Sequence, residues 1–462
     1  MTPANEGLRR GGEIEEITPV TGVASEARRL WGLGWPVALG MVGMTTMGVA
    51  DMIMVGHLGK IELAAVAAGH LWGFMIIMFG RGILHGLDPV VAQAHGAGDV
   101  EGSRRALASG LGLSILLSVP LFIWHFFGAA GLDFLGQPES VLPMAGSYCK
   151  ALAFGVLPLL VFHSYKQVLQ GHGFMMPAAI ALIVCNLVNL FLNWVFIYGH
   201  LGAPRLGVTG SGVSTSLCQI FLVAMVIYLG RKHIETNPLV VMKSFSFGGL
   251  WKMLGVGIPV GLQISIEAWA FVFAGVMMGW LGEVELAAHT VALNLASLSF
   301  MAALGISAAA STRVGNLVGA GLDWAKAAWI ALALGAFIMS FSMAAFLLAP
   351  VFFASIYTSA PDVLALAAVL IPMAGAFQLC DGIQVVSFGA LRGAGDVRVP
   401  AILGAVAFWC IGLPVGGFLA FSVGLGAVGI WYGFLIGITL VSAMLMIRIQ
   451  RLSKRKLVRV EA

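Results

Sequence analysis

Apolar residues run through this chain in long blocks, broken by short polar or glycine-containing turns, and the blocks show no period-two alternation. Each is about 20–30 residues, the length an α-helix needs to cross about 30 Å of hydrocarbon. A membrane β-barrel would read instead as alternating ten-residue segments. The pattern predicts an all-α polytopic protein with spans at 30–56, 62–94, 103–128, 140–170, 175–199 and 208–230, then 251–280, 285–318, 324–354, 361–391, 398–421 and 425–447. Residues 1–29 are polar, carry Glu13, Glu15 and Glu16, and hold no apolar run. No cleavable secretory signal is therefore expected, and the first span serves as insertion signal. Residues 231–250 are polar and contain Asn237-Pro238, a pair that disfavours one continuous helix, so they read as a linker.

The pattern occurs twice. Gly34, Pro36, Val37 and Leu39 return as Gly257, Pro259, Val260 and Leu262. Leu58-Gly59 and Glu62-Leu63-Ala64-Ala65 return as Leu281-Gly282 and Glu285-Leu286-Ala287-Ala288, and Val91 with Gly96-Ala97-Gly98 as Val314 with Gly319-Ala320-Gly321. Subtracting the residue numbers gives one offset, 223, for every pair. An even number of spans per repeat sends both copies into the membrane in the same direction, which relates them by a pseudo-two-fold axis along the membrane normal. The expected organisation is a cytoplasmic segment at 1–29, an N-lobe at 30–230, a linker at 231–250, a C-lobe at 251–447 and a basic tail at 448–462.

Composition removes the soluble classes. The 462 residues are 59% hydrophobic and 10% charged, with mean hydropathy +0.96, against about 25% charged in a typical soluble protein. The formal charge is only +4, but its placement sets orientation. With both termini in the cytoplasm, that side receives Arg9, Arg10, Arg28, Arg29, Arg104, Arg105, Arg231, Lys232, Arg392, Arg398 and the tail from Arg448 to Arg459. Lys60, Arg81, Lys150 and Arg205 are the exceptions. The positive-inside rule selects this arrangement. A basic tail beside a final span reads as a lipid-surface contact, so nucleic acid is not an expected partner. The five cysteines are scattered without metal or disulfide spacing.

Four carboxylates fall inside spans: Asp51, Asp88, Glu267 and Asp381. An Asp at mid-span costs about 2.5–3.5 kcal/mol on insertion scales, so each is a functional candidate. Glu267 has Gln263 one helical turn earlier, and Asp381 has Gln378 and Gln384 three residues to either side. If the two helices face each other, acids and amides make one polar chamber. A carboxylate in such a place holds a proton more readily than in water, or shares a hard cation such as Na+ with amide oxygens. Structural pairing of the acids is the alternative. In the first repeat Asn186, Asn189 and Asn193 share a face of span 5, and Thr215 and Gln219 a face of span 6. These can converge on Asp51 as a second chamber, or bridge helices with no transport role. Arg81, His85 and Asp88 share a face of span 2 and read as an internal charge network in which Asp88 compensates Arg81. Pro36 and Pro259 occupy equivalent places, where a bend would act as a gate or as a fixed kink. The stretches Gly96-Ala97-Gly98 and Arg392-Gly393-Ala394-Gly395-Asp396 read as tight turns, because neither follows a strand nor completes a phosphate loop.

Taken together these residues resemble the multidrug and toxic compound extrusion (MATE) transporters, bacterial norfloxacin-exporter branch. The segments that carry the resemblance are Leu87-Asp88-Pro89-Val90-Val91-Ala92-Gln93-Ala94-His95-Gly96-Ala97-Gly98, Asn193-Trp194, Glu267, and Asp381 with Leu391-Arg392-Gly393. The resemblance implies two six-helix lobes about a central cleft and export of bulky, often cationic compounds driven by inward proton or sodium flow. It implies that Asp51 is the coupling aspartate of the first lobe, with Asn189, Asn193 and Thr215 as its polar network, and that Glu267 and Asp381 bind cation in the second lobe. Phe377 stands where some sodium-coupled relatives carry Tyr, which removes a hydroxyl from that site.

The expectation is a cation-coupled (H+ or Na+) antiporter in the bacterial inner membrane. It needs no cofactor, is monomeric, and meets small organic cations or other amphiphilic compounds and membrane lipids. The 28 Phe, 12 Trp and 22 Met can line an adaptable apolar cavity. A lipid-linked saccharide flippase is the first alternative, but it should present a strongly basic cleft, and only Arg81 reads as a clear intramembrane base. An intramembrane enzyme is the second, and no nucleophile or metal constellation supports it.

Overall fold

A computed structural model describes residues 17–460. Arg9, Arg10, Glu13, Glu15 and Glu16 lie outside the described residues. The described chain is helical, and its helices meet the length and hydropathy requirement of a membrane span eleven times, or twelve if one bent pair counts as a single span. In chain order these are α1 Val23–Gly56, α2 Lys60–Gly96, α3 Val100–Phe126, α4 Leu142–Ala153 with Val156–Gly171, α5 Met176–Tyr198, α6 Val208–Gly230, α7 Phe247–Leu281, α8 Glu283–Gly319, α9 Ala325–Leu348, α10 Pro361–Gly393, α11 Arg398–Ser422 and α12 Gly426–Leu452. Helix dominates because a chain in lipid must satisfy each backbone N–H and C=O within its own segment.

Several helices depart from the even lengths that the apolar blocks suggest. At 34 residues α1 is about 51 Å long, well beyond the hydrocarbon thickness. It starts at Val23 rather than at 30, since its first turns have a polar partner described below. Span 9 ends at Leu348 rather than 354, because Pro350 opens a separate short helix, Pro350–Ser355. Two spans are interrupted, each four residues before a proline whose missing N–H leaves that carbonyl without its helical donor. In α2 the interruption is at His85-Gly86, ahead of Pro89. In α4 it is at Phe154-Gly155, ahead of Pro158, and the two pieces meet at 46°. The Gly155 N–H turns to Leu152 O, and the carbonyl of Ala151 receives Ser216 Oγ from α6 instead, at 2.6 Å. Pro36 and Pro259, the expected gate points, lie inside uninterrupted helices. Gly98, Gly321 and Gly395 take φ of 68°, 71° and 84°, as the tight turns require.

The chain forms two compact units. Within the described residues one holds 39–261, the other Thr18–Ala38 with Leu262–Val460. The divisions fall inside α1 and α7, at positions again 223 apart, and not in the 231–250 segment. The start of each repeat's first helix is thus counted with the other repeat. Close backbone approach explains this. In the first unit a methyl added at Gly82 of α2 would lie 2.6 Å from Gly261 Cα of α7. In the second, one added at Gly34 of α1 would lie 3.1 Å from Gly305 O of α8. Gly82 and Gly305 are repeat equivalents, as are Gly34 and Gly257. The second unit's core includes Phe377, Phe408, Trp431 and Phe434; one core of the first gathers Val55, Val66, Tyr148 and Ile197.

The second unit also closes on a buried ion pair. Arg313 of α8 donates from Nε to Glu26 Oε1 at 2.6 Å and from Nη2 to Glu26 Oε2 at 3.1 Å and Thr18 O at 2.8 Å. Both side chains are buried, 2% and 4% exposed. This bidentate pair holds the start of α1 on α8. Removing one partner strands a buried charge and costs about 3–5 kcal/mol, whereas replacing both with apolar groups is close to neutral. Glu26→Gln should therefore lower the unfolding temperature in detergent markedly, and Glu26→Leu/Arg313→Met should recover most of the loss. Differential scanning fluorimetry of the three proteins checks the ordering.

Candidate functional site

Two polar clusters hold the sequence-predicted acids, one in each unit. In the first, Asp51 sits 28 residues into α1 and is 5% exposed. Helical spacing on α5 puts Asn189 and Asn193 one turn apart on one face, and both reach it. Asn193 Nδ2 donates to Asp51 Oδ1 at 2.6 Å and Asn189 Nδ2 to the same oxygen at 3.1 Å. Thr215 Oγ1 of α6 donates to Oδ2 at 3.0 Å. Asn193 Nδ2 also lies 3.2 Å from Asn189 Oδ1, which ties the two amides together. Asn186 does not join them: its amide donates to Gly43 O and Leu182 O, both at 2.9 Å, and so bridges α5 to α1 through backbone. Gln219 does not join either, and its Oε1 is buried without a hydrogen-bond partner. Tyr148, fully buried on α4, lies within electrostatic reach of Asp51. Sequence reasoning missed it because one Tyr among apolar residues carries no periodic signal.

In the second unit Asp381 of α10 is 6% exposed and Glu267 of α7 is half-buried. Glu267 lies within electrostatic reach of Asp381. Gln384, one turn beyond Asp381, donates from Nε2 to Glu267 Oε1 at 2.7 Å and joins the two helices. Gln378 points to α8, where its Nε2 donates to Ser299 Oγ. The amide oxygens of Gln378 and Gln384 are both buried without a donor. Gln263 is buried on the Glu267 face of α7 but gives Glu267 no hydrogen bond. Phe377 packs at 5.5 Å against Trp431 and brings no polar atom. Ser299 carried no sequence signal, since a lone serine in an apolar helix usually bonds its own backbone; it also does that here, to Ala296 O at 2.8 Å.

The chemistry of the two clusters is alike. Among the described residues no Lys, Arg or His forms an ion pair with Asp51, Glu267 or Asp381. Their charge is met by neutral amide and hydroxyl donors where it is met at all. Such a group can gain a proton, or take a hard cation onto oxygen, without first losing a countercharge. The Glu267–Asp381 cluster has more spare acceptors, in the two carboxylates and the free amide oxygens of Gln378 and Gln384. Among the described residues no group of three or more His, Cys, Asp or Glu is arranged to hold a metal.

The third predicted group takes a different form. Arg81 does not pair with Asp88: its Nη2 reaches Met44 Sδ at 3.7 Å, and its Nε is buried with no hydrogen-bond partner. Asp88 accepts instead from Gln167 Nε2 at 2.7 Å, and His85 Nδ1 lies 3.6 Å from its other oxygen. The interruption of α2 at His85-Gly86 turns Asp88 toward α4. Nor is Arg81 the sole intramembrane base. Lys166 of α4 is 5% exposed, and Arg313 is buried against Glu26.

The MatE family model matches residues 36–195 and 259–417, the two repeats in turn. The chain is 34% identical over 441 residues to a "Probable multidrug resistance protein NorM" of Agrobacterium fabrum, covering 92% of this chain and 94% of that one. It is 32% identical over 442 residues to "Multidrug resistance protein MdtK" of Yersinia pestis, covering 93% and 96%. In fold it is similar to the crystal structure of the eukaryotic MATE transporter AtDTX14, with TM-score 0.84 at 20% identity over 94% of this chain and 98% of that one.

Asp51 allows a test of how its cluster is satisfied. In Asp51→Asn the new carbonyl can still accept from Asn189 and Asn193, and the new amide can donate to Thr215 Oγ, which turns to accept. In Asp51→Leu three donors lose their acceptor, at about 1–3 kcal/mol each if left buried and unpaired. Asp51→Asn should melt within about 2 °C of wild type and Asp51→Leu well below both. Thermal unfolding in one detergent at one pH reads the difference.

Proposed function

The chain belongs to the MatE family of multidrug efflux transporters, and we propose that it exports bulky organic, often cationic, compounds across the bacterial cytoplasmic membrane in exchange for an inward-moving proton or sodium ion. The observation that carries the proposal is Asp51, a buried carboxylate held by Asn189, Asn193 and Thr215 and by no basic side chain. A buried negative charge with only neutral donors is costly, and binding a positive ion removes the cost. Occupancy by the ion and occupancy by a cationic substrate then exclude one another. Two states of the transporter that differ in how far they open the carboxylate to each side would exchange the two. Glu267, Asp381 and Gln384 form the second such group, with Gln263 and Gln378 flanking it. Their oxygen-rich set suits sodium, while the Asp51 group, with every carboxylate oxygen already bonded, suits a proton. Both termini face the cytoplasm in this reading, supported by the Lys and Arg distribution.

The test uses sealed vesicles and one fluorescent cation, under proton and sodium gradients imposed separately. Wild type should respond to at least one gradient. Asp51→Asn should lose the proton-driven component by tenfold or more, and Glu267→Gln and Asp381→Asn the sodium-driven one. Gradient-driven efflux unchanged in all three variants removes these residues from the mechanism.

A further inference from the structure

The group around Arg81 is unlike the two acid clusters. The helix α2 contributes Arg81, His85 and Asp88, and the second piece of α4 contributes His163, Lys166 and Gln167 from one face. Gln167 fixes the arrangement. Its Nε2 lies 2.7 Å from Asp88 Oδ1 and 2.6 Å from His85 Nδ1. The amide has two hydrogens and no lone pair to give, so His85 Nδ1 must accept and His85 is neutral here. Asp88 then supplies one negative charge to a group that holds two bases, Arg81 and Lys166. One positive charge is left over.

The hydrogen-bond inventory leans the same way. Among the described residues Arg81 hydrogen-bonds only the thioether of Met44, and its Nε has no partner. His163 is 1% exposed, and both of its ring nitrogens lack partners. It lies within electrostatic reach of Arg81, Lys166 and His85 together. Lys166 is buried. Surplus donors and a surplus positive charge in one place call for a ligand that only accepts and carries one negative charge. The group is not sealed, because the His85 side chain is 18% exposed and Arg81 is half-buried.

We propose that the first compact unit binds one compact monovalent anion among Arg81, His163 and Lys166. The ion takes hydrogen bonds from the guanidinium, the ammonium and the imidazole N–H, and balances the charge that Asp88 leaves over. It braces α2, beside its interruption at His85-Gly86, against the second piece of α4. The site shares no residue with the Asp51 and Glu267–Asp381 groups and does not rest on their coupling role.

The probe is chloride against gluconate, a bulkier organic anion of the same charge. Full-length protein in detergent is melted at fixed pH, fixed sodium and fixed ionic strength while chloride replaces gluconate. Wild type and Asp381→Asn should both gain about 2 °C with saturation. Lys166→Gln should gain nothing, and in gluconate alone it should melt above wild type, because the surplus charge has been removed. A flat wild-type response, or an undiminished chloride response in Lys166→Gln, overturns the proposal. Crystals grown in bromide decide the case if the variant does not fold: an anomalous peak beside Arg81 and Lys166 supports the site, and its absence at full bromide overturns it.

Discussion

A carboxylate that leaves water must be answered by something, and this protein answers in two ways. Glu26 is met by a full positive charge, with both oxygens on the Arg313 guanidinium. That pair is complete and has no capacity for another cation. Asp51, Glu267 and Asp381 are met by amides and a hydroxyl or by no polar side chain. Their charge is solvated but not cancelled. The difference sorts the acids into those that hold helices together and those that can exchange a positive ion, and the functional reading rests on that difference.

Proline placement gives the polar groups their positions. Pro89 and Pro158 each free a carbonyl four residues earlier, at His85 and Phe154. The first break presents Asp88 to Gln167. The second leaves the carbonyl of Ala151 for Ser216, so that α4 and α6 are tied beside the helix that carries Thr215. Pro36 and Pro259, by contrast, sit in helices that continue past them. A proline near a helix start interrupts less, because few carbonyls precede it within the same helix, but these two lie well inside, and nothing in the structure explains their smoother course.

Much of this was legible in the sequence. Apolar block length gives the spans, and the 223-residue offset gives the repeat, because both reflect the one demand of lipid on backbone. The Asp51 partners were readable from the i, i+4 spacing of Asn189 and Asn193, since an intramembrane amide seldom lacks a reason. Asn186 shares that spacing and yet bonds to Gly43, because which turn of α5 meets Asp51 depends on helix crossing, which periodicity does not encode. Gln378 failed likewise: both glutamines flank Asp381, but only Gln384 faces Glu267. Lys166 stands in the polar stretch His163-Ser164-Tyr165-Lys166-Gln167 near the end of the expected span 140–170, where a base reads as belonging to a helix end. The placement of Arg313 opposite Glu26 joins residues 287 positions apart, beyond any local pattern.

The glycine approaches have a consequence for how such a protein can be divided. Ala38 on Gly305 and Gly261 on Gly82 are matched contacts made by the opening turns of each repeat with the body of the other. A gene cut at the 231–250 segment would yield two polypeptides, each trailing an arm that completes its sibling and each missing the arm that completes itself. The duplicated unit is therefore not a self-sufficient building block. A half-length protein with this packing would need a second copy to supply the arm it lacks.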